Sequence, residues 1–541
     1  MQKTAEELAK KQREISIAEF FEKNRHLLGF DNPRKSLLTA VKEGVDNALD
    51  ACEEARILPE INIEIIQLEE TRFRLIMEDN GPGIIRKQIP KIFAKLLYGS
   101  KFHKLSQTRG QQGIGISAAV LYAQLTTGKP ATIMSKTGNK QPAHQFKLKI
   151  NTQTNEPDIM EDIEIKWDEK DHGTRIEMDL EGAYMKGRQS VDEYLKETAI
   201  INPHATIIYT NPEAQQTLFS RVTQELPQEA KEIQPHPYGV ELGRLIKMME
   251  MTEARSLQQF LCSEFSRVGP GTAKEICENA KLLPTMKPEN ITRDMAEALY
   301  KGIQATKIMA PPTDCLSPIG HDLIEKSLKK EINAEFYCAV SRPVFVYRGN
   351  PFQIEVGIAY GGDQPKDQLV TLLRFANRVP LLYQPGACAF TKSISSTSWK
   401  PYGLQQSQGS LPVGPVTFLL HIASVWVPFT SESKEAVTHY PEIIKDIKLA
   451  LQEAGRKLQS YVNKKGRVQG QLERANLFER YIPEVADALA RLTGEDKEKL
   501  TQKLQDMIKK EDIQRAIHQM SSLKGDVEAE TKLAERAEDE D

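Results

Sequence analysis

The chain has 541 residues, 40% of them hydrophobic and 27% charged, with a formal net charge of -3 at neutral pH. That is the make-up of globular protein, with enough chain for about three or four domains and several cores. No apolar run approaches a membrane span, the N-terminus MQKTAEELAKKQREISIAEFF is charged and helical rather than a signal peptide, and the scattered cysteines show neither a CxxC pair nor zinc spacing. Reduced, buried thiols and a cytoplasmic protein are expected. The small net charge leaves a nucleic-acid partner open, because basic residues can be held in a local groove.

The first strongly patterned element is the helix through VKEGVDNALDA, Val41 to Ala51. Leu38, Val41, Val45, Leu49 and Cys52 recur every three or four residues as a core-facing stripe. Asp31, Asn32 or Pro33 can cap and open it. Glu43 and Asn47 are four apart and share one face; a solvated surface would account for them as well as a binding site would. Asp46 and Asp50 read as solvated or structural.

From Ile61 the pattern turns to period two: INIEIIQ and RFRLIMEDN are strands that feed the turn DNGPGI. Asp79 could simply cap that turn. It could also accept a hydrogen bond from the exocyclic amine of a purine, with Gly81 and Gly83 letting backbone approach the base. The stretch YGSKFHKLSQTRGQQGIGISAAVLYA then rises from glycines into an apolar helix. Its Gly110-Gln111-Gln112-Gly113-Ile114-Gly115 lacks both the P-loop GK[ST] and the dinucleotide fingerprint spacing. Glycine-rich amides at a helix N-terminus can nonetheless cradle phosphate oxygens. ATIMSKT, HQFKLKI, IEIKW and GTRIEMDL continue as strands, and the helix SVDEYLKETAII closes this α/β unit near Asn211.

Residues 236–307 read as short helices joined by turns such as Gly269-Pro270-Gly271, and MAPPTDCLSPIG as a linker. Strands return in EFYCAVSRPVFVYRG, PFQIEVGIAYGG, QLVTLLRFANRVPLL and VTFLLHIASVWVPF, interrupted by the loop SISSTSWKPYGLQQSQGSLPVG. A long helix is expected from near Ser431 through YPEIIKDIKLALQEAGRKLQSYVNKK, followed by charged helix and the acidic tail AERAEDED. The expected units are residues 1–230 with an N-terminal helical strap, 231–308, 309–466 and 467–541.

The acid-and-amide helix, the DNGxG turn and the GxxGxG loop, in that order, resemble the Bergerat-fold ATPases: gyrase, heat-shock chaperones, histidine kinases and mismatch-repair proteins. His172-Gly173-Thr174-Arg175 falls where a Gly-Thr pair supports the adenine pocket in that superfamily. With the inserted helical module, the WKPYG loop and the long helix, the layout is similar to the B subunits of type IIB DNA topoisomerases, the topoisomerase VI family of archaea. The resemblance implies a Bergerat α/β sandwich, a helix-two-turns-helix domain and an α/β transducer of ribosomal-protein-like fold with a C-terminal stalk helix.

It also implies a site. Glu43 would be the general base, Asn47 the Mg²⁺ ligand, and Asp79 with Gly81, Gly83 and Thr174 the adenine pocket. Ser100, Lys101 and Arg109-Gly110-Gln111-Gln112-Gly113-Ile114-Gly115-Ile116 would wrap the phosphates of ATP. Lys400 would reach the γ-phosphate from the transducer, as a compact cation; an exposed loop lysine is the alternative. The resemblance further implies self-dimerisation on ATP binding, a partner A subunit in an A2B2 heterotetramer, and sequence-independent contact with double-stranded DNA on the nucleoid, including the helix start near Gly269 to Thr272. A mismatch-repair- or chaperone-like ATP-switch clamp without topoisomerase activity is the other reading.

Overall fold

Asn32 accepts a hydrogen bond from the Lys35 N–H at 3.0 Å and Pro33 takes the first helical turn, so the acid-and-amide helix opens where its capping residues allow. The computed structural model describes residues 12, 14–101, 104–110, 113–431 and 433–507. After α1 (Ile17–Lys23), this helix is α2 (Pro33–Glu54), and its stripe of Leu38, Val41, Val45, Leu49 and Cys52 is buried.

Beneath it lies an eight-stranded sheet of β1 (Glu60–Glu69), β2 (Arg72–Asp79), β3 (Ala131–Lys136), β4 (Ala143–Asn151), β5 (Glu156–Ile165), β6 (Gly173–Glu181), β7 (Thr206–Thr210) and β8 (Gln216–Phe219). The order is β5-β4-β3-β6-β2-β1-β7-β8. β1 alternates exposed and buried over its first half, as a sheet packed on one face requires. The covering helices, α2, α3 (Ile89–Ala94), α4 (Gly115–Thr127) and α5 (Val191–Ile201), share one apolar core with it. Gly44 lets α2 approach β2, since a Cβ there would overlap the Met77 side chain. The unit does not close at α5: β7 returns parallel to β1, Ile207 opposite Ile61, and β8 forms the edge. Short strands of four and five residues carry too little alternation to be read in advance.

The helices α6 (Leu242–Met251), α7 (Leu257–Glu264), α8 (Pro270–Ala280) and α9 (Arg293–Ala305) bury a core of their own around Leu245, Phe260, Ile276 and Leu299. The next helix is α10 (His321–Glu331), which buries Ile324 and Leu328.

A second sheet follows: β9 (Phe336–Ser341), β10 (Phe345–Tyr347), β11 (Asn350–Tyr360), β12 (Thr371–Ala376), β13 (Val379–Pro380) and β14 (Val416–Ser424). Its order is β10-β11-β14-β12-β13, with β9 on β11. β14 is buried throughout and runs parallel to β12, reached by a crossover that includes α11 (Ala389–Ser395). Ile200 and Ile201 of α5 pack with Ile319, Leu328, Phe375 and Leu419, an apolar seam that joins the two sheet domains.

The expected long helix begins ten residues late, at Pro441, and runs unbroken to Thr493 as α12. Pro441 sits in its first turn, where a missing N–H costs nothing. Residues 433–440 are instead a loop, tied back by a bridge between Val437 and Phe429, with Lys434 at φ 52°. With 53 residues α12 is about 80 Å long; α13 (Lys497–Met507) packs against it. The acidic tail lies outside the described residues, as do Gln111 and Gln112. Among the described residues no helix is long and apolar enough to cross a membrane. All six cysteines are free, five of them buried.

Candidate functional site

A cavity of about 970 Å³ opens between α2, the turn after β2, the glycine loop before α4 and two segments of the second sheet domain. Its volume is at the upper end for a small-molecule site. Glu43, Asn47, Asp79, Gly83, Ser100, Lys101, Gly110, Gly113, Ile114, Gly115, Ile116 and Thr174 all line it.

The Asp79 end is built by strand pairing. β2 and β6 are antiparallel with Asp79 opposite Thr174. Asp79 Oδ1 accepts hydrogen bonds from the Gly81 N–H at 2.8 Å and the Thr174 N–H at 3.3 Å. Among these bonds Oδ2 is not used, which leaves an acceptor for a ligand amine. Burial pushes the Asp79 carboxyl up to about 6, against the pull of those two amides. The glycines are there because the backbone is crowded: a Cβ at Gly83 (φ 70°) would overlap the Lys136 carbonyl, and one at Gly173 (φ 149°) the Asp79 carbonyl. The His172 Nδ1 bonds the Gly81 carbonyl at 2.8 Å, and Ser135 Oγ meets Thr174 Oγ1 at 3.1 Å.

The opposite end is built by α2 and the start of α4. Asn47 is exposed toward the cavity. Glu43 lies so close to the first residue of α4 that a Cβ at Gly115 would fall on its carboxylate. The α4 N-terminus, thirteen residues of helix behind it, offers unpaired amides and the positive end of its dipole. From the second sheet domain, Lys434 enters the same cavity with Ser433 and Glu435. Its Nζ donates to the Arg109 carbonyl at 3.0 Å. Burial pulls its ammonium below the usual lysine value, with Glu43, Asp46 and Asp50 opposing.

The structure places several of these side chains differently from what the sequence suggests. Lys400 does not line this cavity: it is exposed on a single turn, Lys400–Tyr402. Trp399 is buried in the second domain's core, its Nε1 donating to the Ile394 carbonyl at 2.9 Å, and Tyr402 and Gly403 lie against Gly455 and Val462 of α12. Arg109 points away from the cavity; its side chain is 3% exposed and its guanidinium bonds Asp50 at 2.8 Å, Glu53 at 2.7 and 2.9 Å and Asn202 at 2.6 Å. Lys101 lines the cavity but its ammonium is paired with Asp50 at 2.7 Å and Glu54 at 2.8 Å. Of the two readings of Asp46 and Asp50, solvated or structural, the structure bears out the structural one. Asp50 is buried between Lys101 and Arg109, which outweigh its burial and hold its carboxyl below the ordinary value. Asp46 accepts from the Tyr194 hydroxyl at 3.1 Å, and burial pushes it up to about 7.

The residue that sequence reasoning missed is Lys434, because an early helix start hid its loop. The one available signal was Pro441, a first-turn residue ten positions beyond the assumed start. Its neighbour Glu435 is equally telling. Glu435, 6% exposed, pairs with Lys35 of α2 at 2.5 Å and accepts from Gln384 Nε2 at 2.6 Å, and Lys35 lies over the Tyr383 ring. This pair ties the Lys434 loop to the first turn of α2.

Comparison with known proteins follows the same division. Residues 35–174 match the family described as histidine kinase-, DNA gyrase B- and HSP90-like ATPase, and residues 311–474 the topoisomerase VI B subunit transducer. The B subunit of the Type 2 DNA topoisomerase 6 of Methanococcoides burtonii is 53% identical over 487 residues, 90% of this chain and 78% of that one. The protein of the same name from Archaeoglobus fulgidus is 52% identical over 477 residues, 88% and 79% of the two chains. The chain belongs to the topoisomerase VI B-subunit family. Within this family member, the ATPase segment contributes Glu43, Asn47, Asp79 and the glycine loop to the cavity, and the transducer segment contributes Lys434.

Proposed function

We propose that this chain is the ATP-binding and ATP-hydrolysing gate of a topoisomerase VI, working with an A subunit that cuts and rejoins one DNA duplex while another is passed. The observation that carries the reading is the convergence, in one cavity, of the buried Asp79 carboxylate, the Glu43 carboxylate at a helix N-terminus and a lysine from a second domain. Asp79 would bind the adenine amine. The glycine loop and the α4 N-terminus would hold phosphate oxygens by backbone amides. Glu43 is the candidate to orient and deprotonate the attacking water, a role worth roughly 10²–10⁴-fold in rate. Lys434 would meet the γ-phosphate, a contact that ATP offers and ADP lacks, and so would bias domain orientation by nucleotide.

Magnesium fits the donor set. Among the described residues no three His, Cys, Asp or Glu side chains gather as a metal cage. Asn47 would therefore supply one protein oxygen, the remaining ligands being phosphate and water; the ion would neutralise charge on the phosphates. Two copies would close on ATP binding, clamping double-stranded DNA through its backbone. The test is co-purification with an A-type subunit, followed by an ATP-dependent decatenation assay and the same assay with Glu43→Ala. Decatenation that needs ATP, the partner and Glu43 is expected. ATP turnover with no partner and no strand passage would favour a free-standing switch clamp.

A further inference from the structure

The glycine loop does not hang from the ATPase sheet alone. The stem that leads into Gly110 is held residue by residue by the transducer segment. The Gln107 N–H donates to the Cys315 carbonyl at 2.9 Å, and its Nε2 to the Ser317 carbonyl at 3.1 Å. Its Oε1 accepts from the Ser317 N–H at 2.7 Å. One residue on, the Thr108 carbonyl accepts from Asn377 Nδ2 at 3.2 Å. Asn377 is itself fixed to the end of β14, donating to the Ser424 carbonyl at 2.9 Å and accepting from its N–H at 3.0 Å. Then comes Arg109, whose carbonyl takes Lys434 and whose guanidinium is sunk into Asp50 and Glu53 of α2.

The stem is therefore bonded on one side to the transducer and on the other to the helix that carries Glu43 and Asn47. Beside it a second cavity of about 370 Å³, lined by Thr108, Arg109, Asn377 and Lys434 among others, leaves open space between the domains. A close-packed boundary would resist displacement; this one has room for it. Coupling between two sites needs an element whose arrangement both of them bias, and the stem meets that condition on bonds already made.

We propose that Gln107 and Asn377 are positioning residues: they form a grip by which the transducer sets where Gly110 and Gly113 stand over the nucleotide. By reciprocity, a nucleotide that draws those glycines inward pulls the transducer with them. The grip is separate from the γ-phosphate contact of Lys434, and it rests on the reading of the large cavity as an ATP site.

The test uses the full chain with a donor and an acceptor dye at exposed Glu70 and Lys366, one on each sheet domain, attached through unnatural amino acids. A non-hydrolysable ATP analogue and ADP are added in turn. Wild type should give different transfer efficiencies with the two. Gln107→Met with Asn377→Asp removes both Gln107 side-chain bonds and the Asn377 donor to the Thr108 and Ser424 carbonyls, while Asp still accepts from the Ser424 N–H. That variant should bind the analogue within about tenfold of wild-type affinity, yet show less than half of the wild-type difference. Gln107→Glu keeps the acceptor for the Ser317 N–H and loses the donor, so it should fall between; if the double variant does not fold, this variant decides. A merely structural grip would lower stability without moving the analogue-to-ADP difference. The full wild-type difference in a folded variant overturns the proposal, as does a wild type that binds the analogue and shows no difference. Wild type that fails to bind the analogue at all overturns the ATP reading, and the grip with it.

Discussion

Two lysines sit on loops of the same domain, thirty-four positions apart, and only one reaches the cavity. Lys400 comes in a conspicuous sequence, WKPYG, full of the residues that make tight turns and aromatic contacts. Those aromatics bury inward and against α12, so the turn is anchored there and its lysine faces solvent. Lys434 comes in a stretch, SESKEAVTHY, that reads as ordinary helix. Yet Ala436 and Val437 are buried, Glu435 is paired with Lys35, and the backbone turns through φ 52° to send Lys434 under the glycine stem. A loop's composition says what anchors it; the anchor's place in the fold says where its cation goes.

The comparison breaks most cleanly on hydrolysis. Lys434→Ala should lower turnover by about 10²-fold or more, the cost of removing one preorganised positive group at developing charge, with Lys400→Ala within twofold of wild type. Phosphate release under saturating ATP measures both; a reversed ranking restores Lys400 to the site. Asp79→Asn sharpens it from the other end of the cavity. A donor facing a donor in a buried site costs on the order of 1–3 kcal/mol, so affinity should fall roughly ten- to a hundredfold. Because this end is remote from the γ-phosphate, ATP and ADP should lose equally in a calorimetric titration, whereas Lys434→Ala should weaken ATP selectively.

The acids around Lys434 provide a pH test that Lys400 has no means to show. Asp46, with a folded value of about 7 against 3.8 for the free group, favours its protonated form in the fold. Its contribution to stability is thus fully present below about pH 4, is lost as pH rises through about 7, and is flat above that. The shift corresponds to roughly 4 kcal/mol at most, and about half is expected after relaxation around the carboxyl. Asp46→Asn keeps the acceptor for Tyr194 and removes the charge, so it should gain about 2 kcal/mol on wild type between pH 5 and pH 8 in urea melts. Equal pH profiles would mean that Asp46 is hydrated. The smallest effect is expected at Glu435→Gln, which keeps the shape but loses the charge facing Lys35. A loosened Lys434 loop should reduce turnover by about threefold to tenfold, in line with 1 kcal/mol or so for a partly buried pair. Restoring it with Lys35→Gln is not expected, since no charge pair is re-formed.

What could be read from sequence was whatever local periodicity and backbone need determine. The stripe on α2 and the alternation at the start of β1 and in β2 answer to their nearest neighbours and stand where their pattern put them. Asn47 and Asp79 line the cavity for the same reason: each is carried by an element whose face its own spacing fixes. Arg109 and Lys101 look identical in sequence to phosphate-binding cations. Their direction depends on Asp50, Glu53 and Glu54, one helix away, and only packing brings those acids into reach. Lys434 meets Arg109 across 325 residues of chain; no local signal spans such a gap. Strands β7 and β8 escape for a different reason, being too short for alternation to exceed noise.

The helix that begins at Pro441 packs its first half against the transducer sheet, with Ile443, Ile447, Leu451 and Leu458 in the core. Beyond about Val468 its surface is mostly exposed, apart from the stretch that meets α13. At 1.5 Å per residue, the remaining run to Thr493 stands out by roughly 40 Å. A rigid rod of that reach is a mechanical amplifier: each degree of tilt at its clamped end sweeps the tip through about 0.7 Å. A rotation too slight to break a single hydrogen bond around Gln107 would travel outward as a stroke of several ångströms. Pro483, which lacks the N–H of a regular turn, lies inside that projecting arm and is where it would flex under load.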